Sequence, residues 1–136
     1  MTTETRIDIR YPDCDPMNVV HHAVYPLWYE IARMDWLRAA GFCWEEMHSL
    51  HIDPAMVNLN LNYKTALHYP GQIVVRTTCL QCEPKKLRLR YEIYKNGEFI
   101  TDAESFHIWV KNADKSCRLD EEVPKKYAAL CQAAEE

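Results

Sequence analysis

Residues 11–33 read Tyr-Pro-Asp-Cys-Asp-Pro-Met-Asn-Val-Val-His-His-Ala-Val-Tyr-Pro-Leu-Trp-Tyr-Glu-Ile-Ala-Arg. A turn carrying two carboxylates, Asp13 and Asp15, runs directly into a stretch that is apolar on nearly every side. The first turn of a helix leaves backbone N–H groups without partners, and its dipole favours negative charge there. Any chemistry is therefore expected at this junction of turn and helix.

Working outward, Thr5 to Tyr11 alternates, with Ile7, Ile9 and Tyr11 opposite Arg6, Asp8 and Arg10. That period of two predicts a half-buried strand. Pro12 and Pro16 end it. The helix is expected to begin between His22 and Val24, with Pro26 in its first turn, and to run through Ala40 to a stop at Gly41. Its charges, Glu30, Arg33, Asp35 and Arg38, do not gather on one side, so coverage on most faces is expected. Trp44 to His51 reads as a short helix or irregular connection.

From Met56 the period changes to two, with Val57, Leu59, Leu61 and Tyr63 opposite Asn58, Asn60, Asn62 and Lys64. After a turn at Tyr69-Pro70-Gly71, strands are predicted over Ile73 to Cys82, Lys86 to Lys95 and Glu98 to Lys111, with Asn96-Gly97 as a tight turn. Leu119 is assigned to a short end strand and Pro124 to Ala134 to a terminal helix. One buried helix and about five antiparallel strands give an α+β fold in which the sheet wraps the helix. A single domain over residues 1–136 is expected.

The chain has 136 residues, 48% of them hydrophobic, and a formal net charge of −4. That is enough material for a real core. No Lys/Arg block exceeds Lys85-Lys86, which argues against nucleic acid and against an anionic membrane surface. The N-terminal residues alternate and lack an apolar signal core, so a cytoplasmic location is expected. Of the six cysteines, Cys79 and Cys82 form the one CxxC spacing, inside a predicted strand. The others supply no second pair, so ordinary reduced thiols are expected.

The Asp13-Cys14-Asp15 turn, His22 and Tyr25, the run Trp28 to Arg33, Gly41 and Tyr69-Pro70-Gly71 together resemble the hotdog-fold acyl-CoA thioesterases of the 4-hydroxybenzoyl-CoA thioesterase type. The resemblance implies an antiparallel sheet wrapped around one long central helix, and dimers joined sheet edge to sheet edge, often paired into tetramers. It also implies active sites at the dimer interface, an acyl-CoA substrate and a catalytic aspartate at Asp15. No cofactor is implied. Two positions depart from the pattern: Asn18 stands where glycine is usual, and Val24 where asparagine is usual.

The residues agree with that chemistry. A thioester carbonyl needs a nucleophile on one side and hydrogen-bond donors for its oxygen on the other, and a carboxylate beside the amides near His22 and Ala23 supplies both. Asp15 is the expected nucleophile or general base. His22 is a candidate to bind the carbonyl or orient water, and Ala23, Val24 and Tyr25 are candidates to contact substrate. Asp13 is expected to bond the turn, His21 to point away from His22, and Glu30 and Arg33 to pair. Lys64, Lys85, Lys86, Arg88 and Arg90 are available for CoA phosphates. Two alternatives stay open: a hotdog protein that binds acyl-CoA without hydrolysis, suggested by Val24, and a divalent-metal site built from Asp13, Asp15, His21 and His22.

Overall fold

A computed structural model describes residues 1–136. In chain order the long elements are β1 (Thr2–Ile9), α1 (Val24–Ala39), α2 (Trp44–Leu50), β2 (Ile52–Leu61), β3 (Gly71–Cys82), β4 (Lys86–Lys95) and β5 (Glu98–Lys111). A two-residue strand β6 (Lys115–Ser116), a short helix α3 (Leu119–Glu122) and the helix α4 (Pro124–Glu135) complete the chain. The long strands form one antiparallel sheet in the order β1-β3-β4-β5-β2. The β4–β5 hairpin turns on Asn96 and Gly97, whose φ values of 52° and 80° are both left-handed, as a two-residue hairpin turn requires. Register shifts at Met56/Asn58, Cys79/Gln81 and Ile93/Tyr94 bend the strands, and bulges of this kind curl a sheet.

The curl gives α1 its bed. Tyr25, Trp28, Tyr29, Ala32, Trp36 and Leu37 are buried, at the three- and four-residue spacing of a single helix face. They share one core with Ile73 and Val75 of β3 and with Leu87, Leu89, Tyr91 and Ile93 of β4. A fully buried side chain such as Leu37 contributes about 1.5–3 kcal/mol. Gly41 takes φ 95° just past the helix, and Lys126 of α4 donates to its carbonyl.

Several expectations are corrected. Within one chain the helix is covered on most positions, as expected, but its charges do gather: Glu30, Asp35 and Arg38 lie with exposed Leu27 and Ile31 along one open stripe. The first strand starts earlier and stops at Ile9, and Tyr11 opens a 3-10 turn, Tyr11–Asp13, with its ring in solvent. β2 begins at Ile52 and contains Pro54, which an edge strand accommodates. Its bulge at Met56/Asn58 leaves Val57 exposed, and Tyr63 lies beyond the strand. Leu119 belongs to α3, and the end strand is Lys115–Ser116. The strands from Lys86 to Lys111, their turn and the terminal helix lie where the sequence places them.

Candidate active site

The turn between β1 and α1 is tied down residue by residue. The buried Asp13 carboxylate accepts the Arg10 backbone N–H at 2.8 Å and the Arg10 guanidinium at 3.0 Å. Its carbonyl accepts the His21 N–H at 2.9 Å. Asp13 is thus the post on which the turn is built, as expected. Asp15 is different. Its Oδ1 accepts two amides, Met17 N–H at 2.9 Å and Val19 N–H at 3.1 Å, while Oδ2 has no partner in the chain. One oxygen is fixed and the other is free, on a half-buried side chain.

That carboxylate lies in the wall of a cavity of about 530 Å³ lined by Tyr11, Cys14, Asp15, Pro16, Asn18 and Tyr69. The Tyr11 and Tyr69 rings meet edge to face at 5.7 Å. Asn18 adopts φ 61°, the left-handed conformation that glycine would otherwise supply. Its amide also reaches the β2–β3 connection: Nδ2 donates to the Tyr69 carbonyl at 2.9 Å and Oδ1 accepts the Tyr69 N–H at 3.1 Å. The Asn18 carbonyl and His68 Nδ1 add a third link at 2.7 Å.

His22 faces elsewhere. It lines a second cavity of about 260 Å³ with Tyr25, Tyr63, Lys64 and neighbours, and the Tyr63 hydroxyl donates to its carbonyl at 3.1 Å. Within one chain the expected pair, Asp15 and His22, therefore lines two different cavities. His21 does not point away from His22; the two rings stack at 4.3 Å. His21 Nδ1 accepts the Ala23 N–H at 3.1 Å, so that amide is not available to a carbonyl oxygen. The His22 N–H, one residue earlier, has no partner in the chain. Val24 is half-buried against the core, and Tyr25 is buried with its ring 5.1 Å from that of Tyr63. Burial, then the neighbouring Tyr63 and Cys14, pushes the Tyr25 hydroxyl pKa up.

No group of three or more His, Cys, Asp or Glu side chains is placed to hold a metal ion. Asp13 is engaged by Arg10, and His21 by Ala23. The expected Glu30–Arg33 pair is also absent. Arg33 turns inward and donates to the Tyr91 hydroxyl at 3.2 Å, while Glu30 is exposed. Tyr91, Ser105 and His107 continue the chain of bonds at 2.7 and 2.8 Å, and His107 Nδ1 donates to the Pro54 carbonyl at 3.2 Å. Sequence reading missed this network, although Ser105 and His107 share the buried face of β5 with Ala103 and Trp109.

The family model described as the thioesterase-like superfamily matches residues 9–127. The chain belongs to the thioesterase-like superfamily. It is 31% identical to YneP of Bacillus subtilis, provisionally named an acyl-CoA thioesterase, over 133 residues that cover 96% of each chain. A DHNA-CoA thioesterase from Staphylococcus aureus is 30% identical with a TM-score of 0.93, covering 98% of this chain and 91% of that one. The hypothetical protein TT1821 from Thermus thermophilus is 28% identical with a TM-score of 0.88, covering 96% and 98%. The hotdog fold and the enzyme class read from the sequence, a thioester hydrolase, both stand. Superfamily membership covers the whole turn from Tyr11 to Tyr25. No helix of this superfamily member is long and apolar enough to cross a membrane.

Proposed function

We propose that this chain is one thioesterase domain, residues 1–136, that hydrolyses a small or medium acyl-CoA to the free acid and CoA in the cytoplasm. The observation that carries the proposal is the Asp15 carboxylate, with one oxygen fixed by two backbone amides and the other free beside a cavity. In the nucleophilic route Oδ2 attacks the thioester carbonyl, CoA thiolate leaves, and water cleaves the acyl-aspartyl anhydride. In the general-base route Oδ2 takes a proton from the attacking water. Either route develops charge on the carbonyl oxygen, and the unpartnered His22 N–H is the donor offered to it. Tyr25 and Val24 contact the acyl group from the helix start. The names borne by the Bacillus and Staphylococcus relatives support acyl-CoA as the substrate class.

The working unit is a homodimer joined through the free edge of β2. The other edge strand, β1, carries Glu4, Arg6 and Asp8, whereas Met56 to Leu61 of β2 has no charge and exposes Met56 and Val57. Charges protect an edge from pairing, and their absence invites it. A partner across β2 supplies the remaining wall that brings the Asp15 and His22 cavities into one site.

Thiol release over a panel of acyl-CoA thioesters, with and without a chelator, tests the assignment. Turnover that is indifferent to chelator and falls on the order of 10³-fold or more in Asp15→Asn is the expected result. Tight acyl-CoA binding without turnover, at any acyl length, would instead make the chain a binder, as Val24 suggests. Chelator-sensitive turnover would overturn the metal-free mechanism.

A further inference from the structure

At the far end of β3 from the catalytic turn, Cys82 and Cys131 of α4 bring their sulfurs to 4.0 Å. They are 49 positions apart in sequence, both half-buried, and share a cavity of about 210 Å³ with Cys79 and Glu135. No other two cysteines are hydrogen-bonded to each other. Cys79 is engaged elsewhere: its thiol donates to the Gln81 carbonyl at 3.4 Å. Burial pushes up the pKa of Cys82 as well as that of Cys79.

We propose that Cys82 and Cys131 are a dithiol modification site that closes to a reversible disulfide on meeting a peroxide and staples the terminal helix α4 to β3. A peroxide oxygen transfers to one thiolate, giving a sulfenic acid and releasing water or alcohol. The second thiol then attacks the sulfenic sulfur, forming the S–S bond and expelling water. The balance is two thiols and one hydrogen peroxide to one disulfide and two waters. A disulfide needs about 2.05 Å between sulfurs, so they must close by about 2 Å.

The consequence follows from where the two segments lie. Gly71, at the start of β3, pairs with Ile9 beside the catalytic turn, and Cys82 is eleven residues further on. At about 3.3 Å per residue that is roughly 35 Å of strand. The bridge closes a long loop and so restricts the unfolded chain without touching the Asp15 turn.

Treating the purified full chain with hydrogen peroxide, then alkylating and mapping it, tests this independently of the hydrolytic reading. The expected product has lost two hydrogen atoms and two alkylatable thiols and yields a linked Cys82–Cys131 peptide. Its Tm rises by roughly 5–10 °C, dithiothreitol reverses the rise, and any thiol-release activity stays within about twofold. Cys131→Ser abolishes the link, and Cys117→Ser keeps it. The wild-type thiol count stands even if Cys131→Ser fails to fold. Sulfinic or sulfonic acids without a linked peptide, or a link to a different cysteine, overturn the proposal. A linked peptide with no gain in Tm overturns the stapling.

Discussion

The Asn18 side chain grips the backbone of Tyr69 from both sides, donating to its carbonyl at 2.9 Å and accepting its N–H at 3.1 Å. Asn18, in the Asp15 turn, and Tyr69, in the β2–β3 connection, are 51 positions apart in sequence, and this amide fastens one segment to the other. Asn18 is therefore more than a tolerated stand-in for glycine at a left-handed position. It sets where the Tyr69 ring lies across the cavity that Asp15 faces.

Replacing Asn18 separates its two duties. Asn18→Gly keeps the left-handed backbone but loses two hydrogen bonds of about 1 kcal/mol each. Asn18→Ala loses the same bonds and adds about 1–2 kcal/mol of left-handed strain. Both variants should lose about tenfold or more in kcat/KM, with Ala lower in Tm than Gly. Steady-state kinetics and thermal melts check this, and an Asn18→Gly enzyme with unchanged kcat/KM would remove the positioning role.

Asp13 and Asp15 should give opposite signatures. Asp13→Asn puts an amide N–H against a donor from Arg10 in a buried place and should cost about 1–3 kcal/mol of stability. Asp15→Asn leaves the Oδ1 acceptor in place, so its Tm should stay within about 2 °C while kcat collapses. Denaturant melts run beside the thiol-release assay decide it. A large loss of stability in Asp15→Asn would mean that its carboxylate is structural.

His107 makes stability depend on pH. The chain of donors from Arg33 through Tyr91 and Ser105 ends at His107 Nε2, which must accept, while Nδ1 donates to Pro54. Burial first, and then the Arg33 charge, lower its pKa to about 4 from the usual 6.5. Between these values the unfolded chain binds the proton and the folded chain does not, so stability falls as pH drops from about 6.5 toward 4. The loss from this one group approaches roughly 3 kcal/mol. Urea unfolding at pH 7 and pH 4.5 should show a smaller drop in His107→Gln than in the native chain; equal drops would place the titration elsewhere.

What the sequence made legible is what local pattern controls. Lys86 to Lys111 alternates cleanly around Asn96-Gly97, and both strands and turn fall where that pattern puts them. Asp15 stands out because its chemistry and the helix after it are adjacent in the chain. Features that depend on distant partners were not legible. The strand reads as starting at Met56 although it begins at Ile52, and Ala23 reads as a free donor until the His21 ring is seen to turn back onto it. Arg33 was paired with Glu30 by spacing alone. The core position of the helix turns it instead toward Tyr91, 58 residues away.

The edge of β2 supplies the last prediction. Met56 and Val57 are 43% and 55% exposed on a strand whose outer backbone groups have no partner strand. In a two-fold dimer formed there, each Val57 is buried near the symmetry axis, so a lysine at that position would bring two positive charges together as water is removed. Val57→Lys should weaken association by at least about tenfold, and light scattering across a dilution series should show the mass falling toward the monomer at concentrations where the native chain is dimeric. If Asp15 and His22 act in a site completed by the partner, thiol release should fall along the same dilution curve. A monomeric Val57→Lys chain with full activity would leave the interface standing but place the whole site within one chain. A dimer unaffected by the substitution would move the interface away from β2.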